Sequence, residues 1–310
     1  MKKILITGGA GNIGSSLANK LSQNNENLIF IVDNLITGKI ENIPLAENIN
    51  FIKCNVNNYN DIAPILISNN FDYIFHFAAL VGVKRTIDNP LMVFDDIDGI
   101  KNILLLSKNT NVKKVFYSSS SEVYGEPFEI PQNEESTPLN ARLPYAIVKN
   151  IGESLFRTYY KEFGLEYTIF RFFNTYGPRQ SDDFVITKFI NSALNNLDIT
   201  INGSGNQTRT FCYIDDNLDT IVNILNSNLY NDEVINIGNE DERTIIDVAK
   251  LIIETLTSSS KIVHLSPLKE GDMTRRKPDI SKMKRILNRD LIGLKDGIIK
   301  CVKYGNYEKK

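Results

Sequence analysis

Short apolar runs alternate with helix-period stretches through the first half of the chain. Residues 3–7, 28–33, 50–54, 71–77, 113–118 and 167–173 each read as a strand of near-continuous apolar character. After the first of them, Ile13, Leu17 and Leu21 recur at helical spacing. A strand apolar on both faces must be covered on both, and the intervening helices supply that cover. The pattern predicts α/β class, a doubly wound parallel sheet of the Rossmann type.

The pattern changes after Pro178. Residues 181–197 read as one helix, 202–206 (NGSGN) as a polar turn, and 215–225 as another helix. Short strands at 234–237 and 262–265 flank a helical run over 245–256. This predicts a smaller C-terminal α/β substrate domain, partly interleaved with the first. The expected division is 1–177 plus about 213–230 for dinucleotide binding, and 178–212 with 231–310 for substrate. No internal repeat or low-complexity segment interrupts the chain.

Composition narrows the class. The 310 residues are 42% hydrophobic and 23% charged, with a formal net charge of −2. That balance fits a globular enzyme-sized chain and argues against a broad nucleic-acid surface. Cys54, Cys212 and Cys301 lie far apart, and His76 and His264 add no zinc-like spacing, so no metal site is expected. A sparse, odd cysteine count fits a reducing cytoplasm. The apolar run at the N-terminus is too short for a signal peptide, and no apolar stretch is long enough to cross a bilayer, so no membrane partner is expected.

Gly8, Gly11 and Gly14 follow the first strand directly and lead into the first helix. Glycine permits the tight turn and lets a phosphate approach the backbone, where free N–H groups and the helix dipole favour an anion. Asp33 ends the second strand, 19 residues after Gly14. A carboxylate there accepts from a ribose diol and repels a 2′-phosphate, which favours NAD over NADP.

Tyr145 and Lys149 sit one helical turn apart behind Pro144, a residue suited to opening a helix. A tyrosine acting as base near neutral pH needs its pKa lowered by about three units, roughly 4 kcal/mol. A neighbouring ammonium and a positively charged nicotinamide ring both favour the phenolate. Upstream, SSSSEVYG over 118–125 leaves the apolar run 115–117, at the carboxyl end of a strand where open α/β sheets bind ligands. A surface pair, a serine-rich turn and a core tyrosine at 124 are the plain alternatives.

TGGAGNIG, Asp33, HFAAL at 76–80, SSSSEVYG, YAIVK and RFFNTYGPRQ occur in order across nearly the whole length. Together they resemble an extended short-chain dehydrogenase/reductase of the NAD-dependent nucleotide-sugar epimerase/dehydratase group. The resemblance implies Tyr145 as catalytic base, Ser120 as catalytic hydroxyl, and Lys149 as the residue that binds the nicotinamide ribose and tunes Tyr145. Glu122 joins the catalytic set. Gly8, Gly11, Asn12, Ile13, Gly14, Asp33, Asn34, Asn55, Val56, Phe77, Ala78 and Ala79 are then the further NAD-binding positions. Asn55 stands where the family usually carries an acid that contacts adenine. Ser121, Asn174, Arg209 and Arg276 are the expected contacts to a nucleotide-diphosphate sugar. His76 reads as structural, and Asp215 and Asp216 as helix caps. The family also implies a homodimer built from helices near 91–108 and 145–163.

Members of this group oxidise the sugar at C4 and then diverge. Ser121 stands where dehydratases carry an acidic Asp, which disfavours 4,6-dehydration. Ser120, Ser121, Glu122 and Arg276-Lys277-Pro278 resemble UDP-glucuronate decarboxylases, whereas residues 78–83 do not. The reading is a 4-epimerase first, then a decarboxylase, then a 4-oxidase that releases the ketone. A non-catalytic NAD sensor on the same fold is the contrasting class.

Overall fold

The computed structural model describes residues 1–227, 229–267, 275–305 and 307, except the side chains of 83, 84 and 87. It begins with β1 (Lys2–Thr7), α1 (Asn12–Leu21), β2 (Asn27–Asp33), β3 (Ile49–Lys53), α2 (Tyr59–Asn69) and β4 (Tyr73–His76). Three successive helices, α3 (Val83–Asp88), α4 (Pro90–Phe94) and α5 (Asp96–Asn109), lead to β5 (Lys114–Ser120), α6 (Pro144–Phe163) and β6 (Glu166–Phe172). Next come β7 (Thr175–Tyr176), α7 (Val185–Leu194), β8 (Ile199–Asn202), β9 (Thr208–Thr210), β10 (Cys212–Tyr213) and α8 (Ile214–Ser227). The chain finishes with β11 (Glu233–Ile237), β12 (Glu242–Thr244), α9 (Ile245–Thr255), β13 (Ile262–Leu265), α10 (Ser281–Leu287) and α11 (Leu294–Tyr304).

Seven strands form one sheet in the order β11-β6-β5-β4-β1-β2-β3, and the pairings from β5 through to β3 are parallel. The order reverses at β1, as doubly wound sheets require. Apolar strands explain the layering. Ile4, Leu5, Ile6, Ile74, Phe75, Val115 and Phe116 are buried on both faces, and Phe75, Phe116 and Phe170 stack across β4, β5 and β6. α2, α5 and α6 place Ile62, Leu66, Ile103, Leu104, Val148 and Phe156 in one core cluster with the sheet.

The chain divides into two compact units. The first holds Met1–Val123, Ala141–Arg171 and Ile221–Ile235, and the second Tyr124–Asn140, Phe172–Thr220 and the described residues from 236 onward. Residues 124–140 therefore group with the second unit, although in sequence they lie between two segments of the first. Their attachment is by backbone: Gln132 bridges Pro278, Gln132 N–H donates to Lys277 O at 2.8 Å, and Asn236 Nδ2 donates to Gln132 O at 2.9 Å. The second unit is built on small pairings, β7 with β10, β8 with β13, and β9 with β12.

Several elements differ from the sequence expectation. The 234–237 strand, expected in the smaller domain, is the seventh strand of the main sheet. The helix expected over 181–197 starts at Val185, because Ser181 to Phe184 turn on their own bonds: Asp183 N–H donates to Ser181 Oγ and Phe184 N–H to Ser181 O. Asp215 and Asp216 lie inside the first turn of α8, not at its cap. Their carboxylates hold Lys300 and Arg289, respectively.

Candidate active site

The glycine turn is shaped by what a side chain would strike. Gly8 leaves β1 at φ +68°, and a Cβ there would lie 2.7 Å from Ala78 N. A Cβ on Gly14 would lie 2.4 Å from Gly8 O. Both neighbours are backbone and cannot swing aside, so the first turn of α1 closes directly onto the turn after β1. Gly11 caps α1 without a side chain, and the first turn of the helix carries no acid. Asn12 Oδ1 is buried with no hydrogen-bond partner. This bare, positively polarised helix start suits a diphosphate.

Asp33 ends β2 nearby and is buried. Its Oδ2 accepts from Ala10 N–H at 3.0 Å and its Oδ1 from Leu35 N–H at 2.8 Å. Each carboxylate oxygen keeps a lone pair for a ribose hydroxyl. Asn34 is half-buried, with Oδ1 accepting from Ile36 N–H at 3.1 Å. After β3, Asn55 Oδ1 accepts from Asn57 N–H at 3.2 Å and Val56 is buried. The cradle, the unpartnered amide oxygen and the carboxylate together fit a dinucleotide with a free 2′-hydroxyl.

The loop leaving β4 is pinned by Thr7. Its hydroxyl oxygen accepts from Phe77 N–H and Ala78 N–H, each at 3.1 Å. The hydroxyl proton is then left for His76 Nδ1 at 2.9 Å, which makes His76 the Nε2–H tautomer. Burial, with the charge of Lys149 behind it, pushes His76 down to about 3, so it stays neutral. Phe77, Ala78 and Ala79 are half-buried beyond it.

α6 carries the tyrosine and lysine, with Pro144 in its first turn as the sequence predicts. Lys149 Nζ donates to Ser118 O at 2.6 Å, fastening the helix to the end of β5. Its Nζ stands 5.7 Å from the Tyr145 ring centre and 5.0 Å from that of Tyr117. Gly152 makes this approach possible, since a Cβ there would meet Tyr117 Oη at 2.1 Å. Burial pushes the Lys149 ammonium down to about 8, while the charge of Asp96 opposes the fall. β5 runs two residues further than expected, so Ser119 and Ser120 belong to the strand. Ser120 Oγ accepts from Glu122 N–H at 3.2 Å, and Ser121 is buried in the short turn that follows.

In the second unit, Asn174 adopts φ +32° and its Nδ2 donates to Thr210 O at 2.9 Å. Arg209, on β9, is buried and its Nη1 donates to Thr208 O at 2.7 Å. Arg275 and Arg276 part company. Arg275 is half-exposed and bonds Glu242, whose carboxyl it draws down to about 2, while Arg276 is only 6% exposed. Thr7 and Asp96 are the residues that sequence reasoning missed. Each is an unremarkable polar residue whose partners are distant in the chain. Among the described residues, no group of three or more His, Cys, Asp or Glu could hold a metal ion, and no helix is long and apolar enough to cross a membrane.

A doubly wound sheet, a glycine turn with an acid ending β2, and a Tyr-x-x-x-Lys helix fastened to β5 define an extended short-chain dehydrogenase/reductase, an NAD-dependent enzyme. The chain belongs to the NAD dependent epimerase/dehydratase family, whose model matches residues 4–238. It is 38% identical over 300 residues to the UDP-N-acetyl-alpha-D-glucosaminuronate decarboxylase of Bacillus cytotoxicus, covering 92% of this chain and 91% of that one. The UDP-glucose 4-epimerase of Thermotoga maritima, solved with UDP-glucose, superposes with a TM-score of 0.91 at 31% identity, over 97% of this chain and 98% of that one. The UDP-glucuronic acid 4-epimerase of Bacillus cereus, solved with UDP-glucuronic acid and NAD, gives 0.88 at 31% identity over the same shares.

Proposed function

We propose that the protein oxidises C4 of a nucleotide-activated sugar and restores it with inverted configuration, as a nucleotide-sugar 4-epimerase. The observation that carries this reading is the fastening of Lys149 to Ser118 O, which holds Tyr145 and Lys149 against the strand end that bears Ser120. NAD, when bound, would supply the acceptor for the C4 hydride and the donor that restores it.

Tyr145 takes the proton of the C4 hydroxyl and later returns it. Ser120 hydrogen-bonds the same oxygen and shares its proton. Lys149 keeps positive charge beside the phenol and favours phenolate. The backbone at Gly8, Gly11, Asn12, Ile13 and Gly14 holds the dinucleotide diphosphate. Asp33 and Asn34 hold the adenosine ribose, Asn55 and Val56 the adenine, and Phe77, Ala78 and Ala79 line the path to the nicotinamide. Ser121 and Glu122 orient the sugar. Asn174, Arg209 and Arg276 hold the nucleotide diphosphate or the sugar, a task suited to a permanently charged fork.

Decarboxylation of a nucleotide-linked uronic acid is the second reading. It is favoured by the burial of Arg276 within Arg276-Lys277-Pro278 and by the curated decarboxylases similar to this chain. The 4-keto group would then act as electron sink, and Arg276 would meet the carboxylate or its product.

We further infer a homodimer through α4, α5 and α6, where Leu91, Met92, Leu105, Tyr160 and Phe163 stand exposed. A cytoplasmic setting suits the free cysteines Cys54, Cys212 and Cys301.

The test is a panel of UDP-, dTDP-, GDP- and CDP-sugars with NAD, followed by chromatography and mass spectrometry. An isomer of unchanged mass supports the epimerase. Loss of carbon dioxide selects the decarboxylase, and loss of two hydrogens the 4-oxidase. Loss of water would overturn the argument from Ser121.

A further inference from the structure

Lys149 is 3% exposed, and a cation taken out of water needs a counter-charge or it gives up its proton. Its own hydrogen bonds reach only neutral oxygens, Ser118 O at 2.6 Å and Ser118 Oγ at 3.4 Å. The groups facing it come from four elements. β4 supplies His76, held neutral. β5 supplies Tyr117, whose phenol burial keeps protonated. α6 supplies Tyr145, and Asp96, on α5, supplies the carboxylate whose charge acts on it through space.

Asp96 lies in the first turn of α5, and both of its oxygens are engaged by donors. Oδ2 accepts from Leu80 N–H at 2.8 Å and Oδ1 from Asn57 Nδ2 at 3.4 Å. Two donors and no acceptor suit the ionised form. Burial pushes the Asp96 carboxyl up, Asp95 adds to that, and the Leu80 bond, the Lys149 charge and the Asn57 bond pull it back.

These bonds join parts of the site that are far apart in sequence. Leu80 follows Ala78 and Ala79 on the loop from β4, and Asn57 follows Asn55 and Val56 after β3. Asn102, further along α5, donates to Val56 O at 2.9 Å and Asn57 O at 3.2 Å. Gly99 leaves room for the contact, since a Cβ there would lie 2.3 Å from Asn57 Oδ1.

We propose that Asp96 is a positioning residue of the hydride-transfer site: its carboxylate clips the loops after β3 and β4 to α5 and serves as the counter-charge of buried Lys149. It acts through Lys149 and the loop backbone. Only its consequence for turnover rests on the catalytic reading of Tyr145 and Lys149.

Asp96→Asn keeps an oxygen for Leu80 N–H and removes the charge. The Lys149 ammonium is titrated directly, by carbon NMR of NAD-loaded protein labelled with 13C at lysine Cε, using Lys149→Met to assign the signal. With burial pushing the ammonium down to about 8, the wild type should titrate well below the ordinary lysine range. Losing an attractive anion destabilises the charged form, so the midpoint falls in D96N by about one unit, or tenfold in proton affinity. D96E, which keeps the charge, stays close to the wild type. An unmoved midpoint in D96N overturns the proposal.

The reciprocal measurement needs no folded D96N. With 13C at aspartate Cγ and the signal assigned through D96E, the Asp96 midpoint rises in K149M by a similar amount. No rise overturns the proposal equally. With an active sugar in hand, the alkaline limb of kcat/KM moves to lower pH in D96N, whereas a merely structural residue would lower the whole profile. If no sugar turns over, the epimerase reading fails while both titrations still decide the role of Asp96.

Discussion

Glu153 receives the Arg171 guanidinium side-on, Nε to Oε1 at 2.9 Å and Nη2 to Oε2 at 2.7 Å. The same Oε1 accepts from the Ser119 hydroxyl at 2.6 Å. Both charged side chains are almost wholly buried, at 1% and 2% exposure, and Arg157 adds a longer contact from the helix surface. One carboxylate thus ties α6 to β6 and β5. It sits one turn beyond Lys149 and beside the strand end that carries Ser120, so the pair governs how the helix lies against the strand.

Breaking the pair from one side leaves an uncompensated buried charge. Arg171→Met should cost about 3–5 kcal/mol. Urea unfolding should show that loss as a lower midpoint, and the double variant Arg171→Met/Glu153→Leu should recover a good part of it. A single-variant loss below about 1 kcal/mol would mean that water reaches the pair, as at a surface salt bridge.

Two glycines at positive φ separate the dinucleotide cradle from ordinary backbone freedom. Gly8 at φ +68° has Ala78 backbone 2.7 Å from its would-be Cβ, while Gly164 at φ +69° has nothing within 4 Å. Gly164→Ala should cost only about 1–2 kcal/mol of conformational strain and leave NAD binding intact. Gly8→Ala should also displace the loop after β4 and weaken NAD binding at least about tenfold, or ~1.4 kcal/mol. Calorimetric titration of NAD into both variants checks this, and equal affinities would remove the cradle argument.

The inner strands of the main sheet were legible because they are apolar on both faces, a pattern that needs no knowledge of partners. β11 is equally apolar, yet nothing in five residues says which sheet it joins. β7 and β10 are two residues long and leave no periodic trace. The glycine turn, Asp33 and the Tyr145–Lys149 spacing were legible because local geometry makes the motif. Asp96 with Leu80, and Arg171 with Glu153, were not, since each pair meets only after the sheet and helices have closed. The sequence also could not separate Arg275 from Arg276. Only the ion pair with Glu242 reveals which of the two turns outward.

Removing the phenol should stop the chemistry and spare the cofactor. Tyr145→Phe should lower turnover of the active sugar by ~10²–10⁴-fold, with NAD affinity unchanged. In the wild type, activity should fall as pH rises through about 8, because Lys149 then loses the charge that favours phenolate. Initial rates of the two proteins from pH 6 upward check both statements. Turnover surviving in Y145F would remove Tyr145 as the base.

His76 makes the stability of the fold depend on pH in the acid range. It is neutral in the folded chain, with a pKa pushed to about 3 from an ordinary 6.5, because burial penalises the imidazolium and the charge of Lys149 adds to that penalty. The unfolded chain therefore takes up a proton first as pH falls. The stability His76 contributes is complete above pH 6.5. It drains at about 1.4 kcal/mol per pH unit as pH falls from there towards 3. His76→Asn offers Thr7 an amide oxygen in place of Nδ1 and cannot charge. Urea unfolding at pH 7 and pH 5 should show the wild type losing about 2 kcal/mol more than H76N. Parallel losses in the two proteins would mean that folded His76 accepts the proton, and the Nε2–H assignment through Thr7 would fall with it.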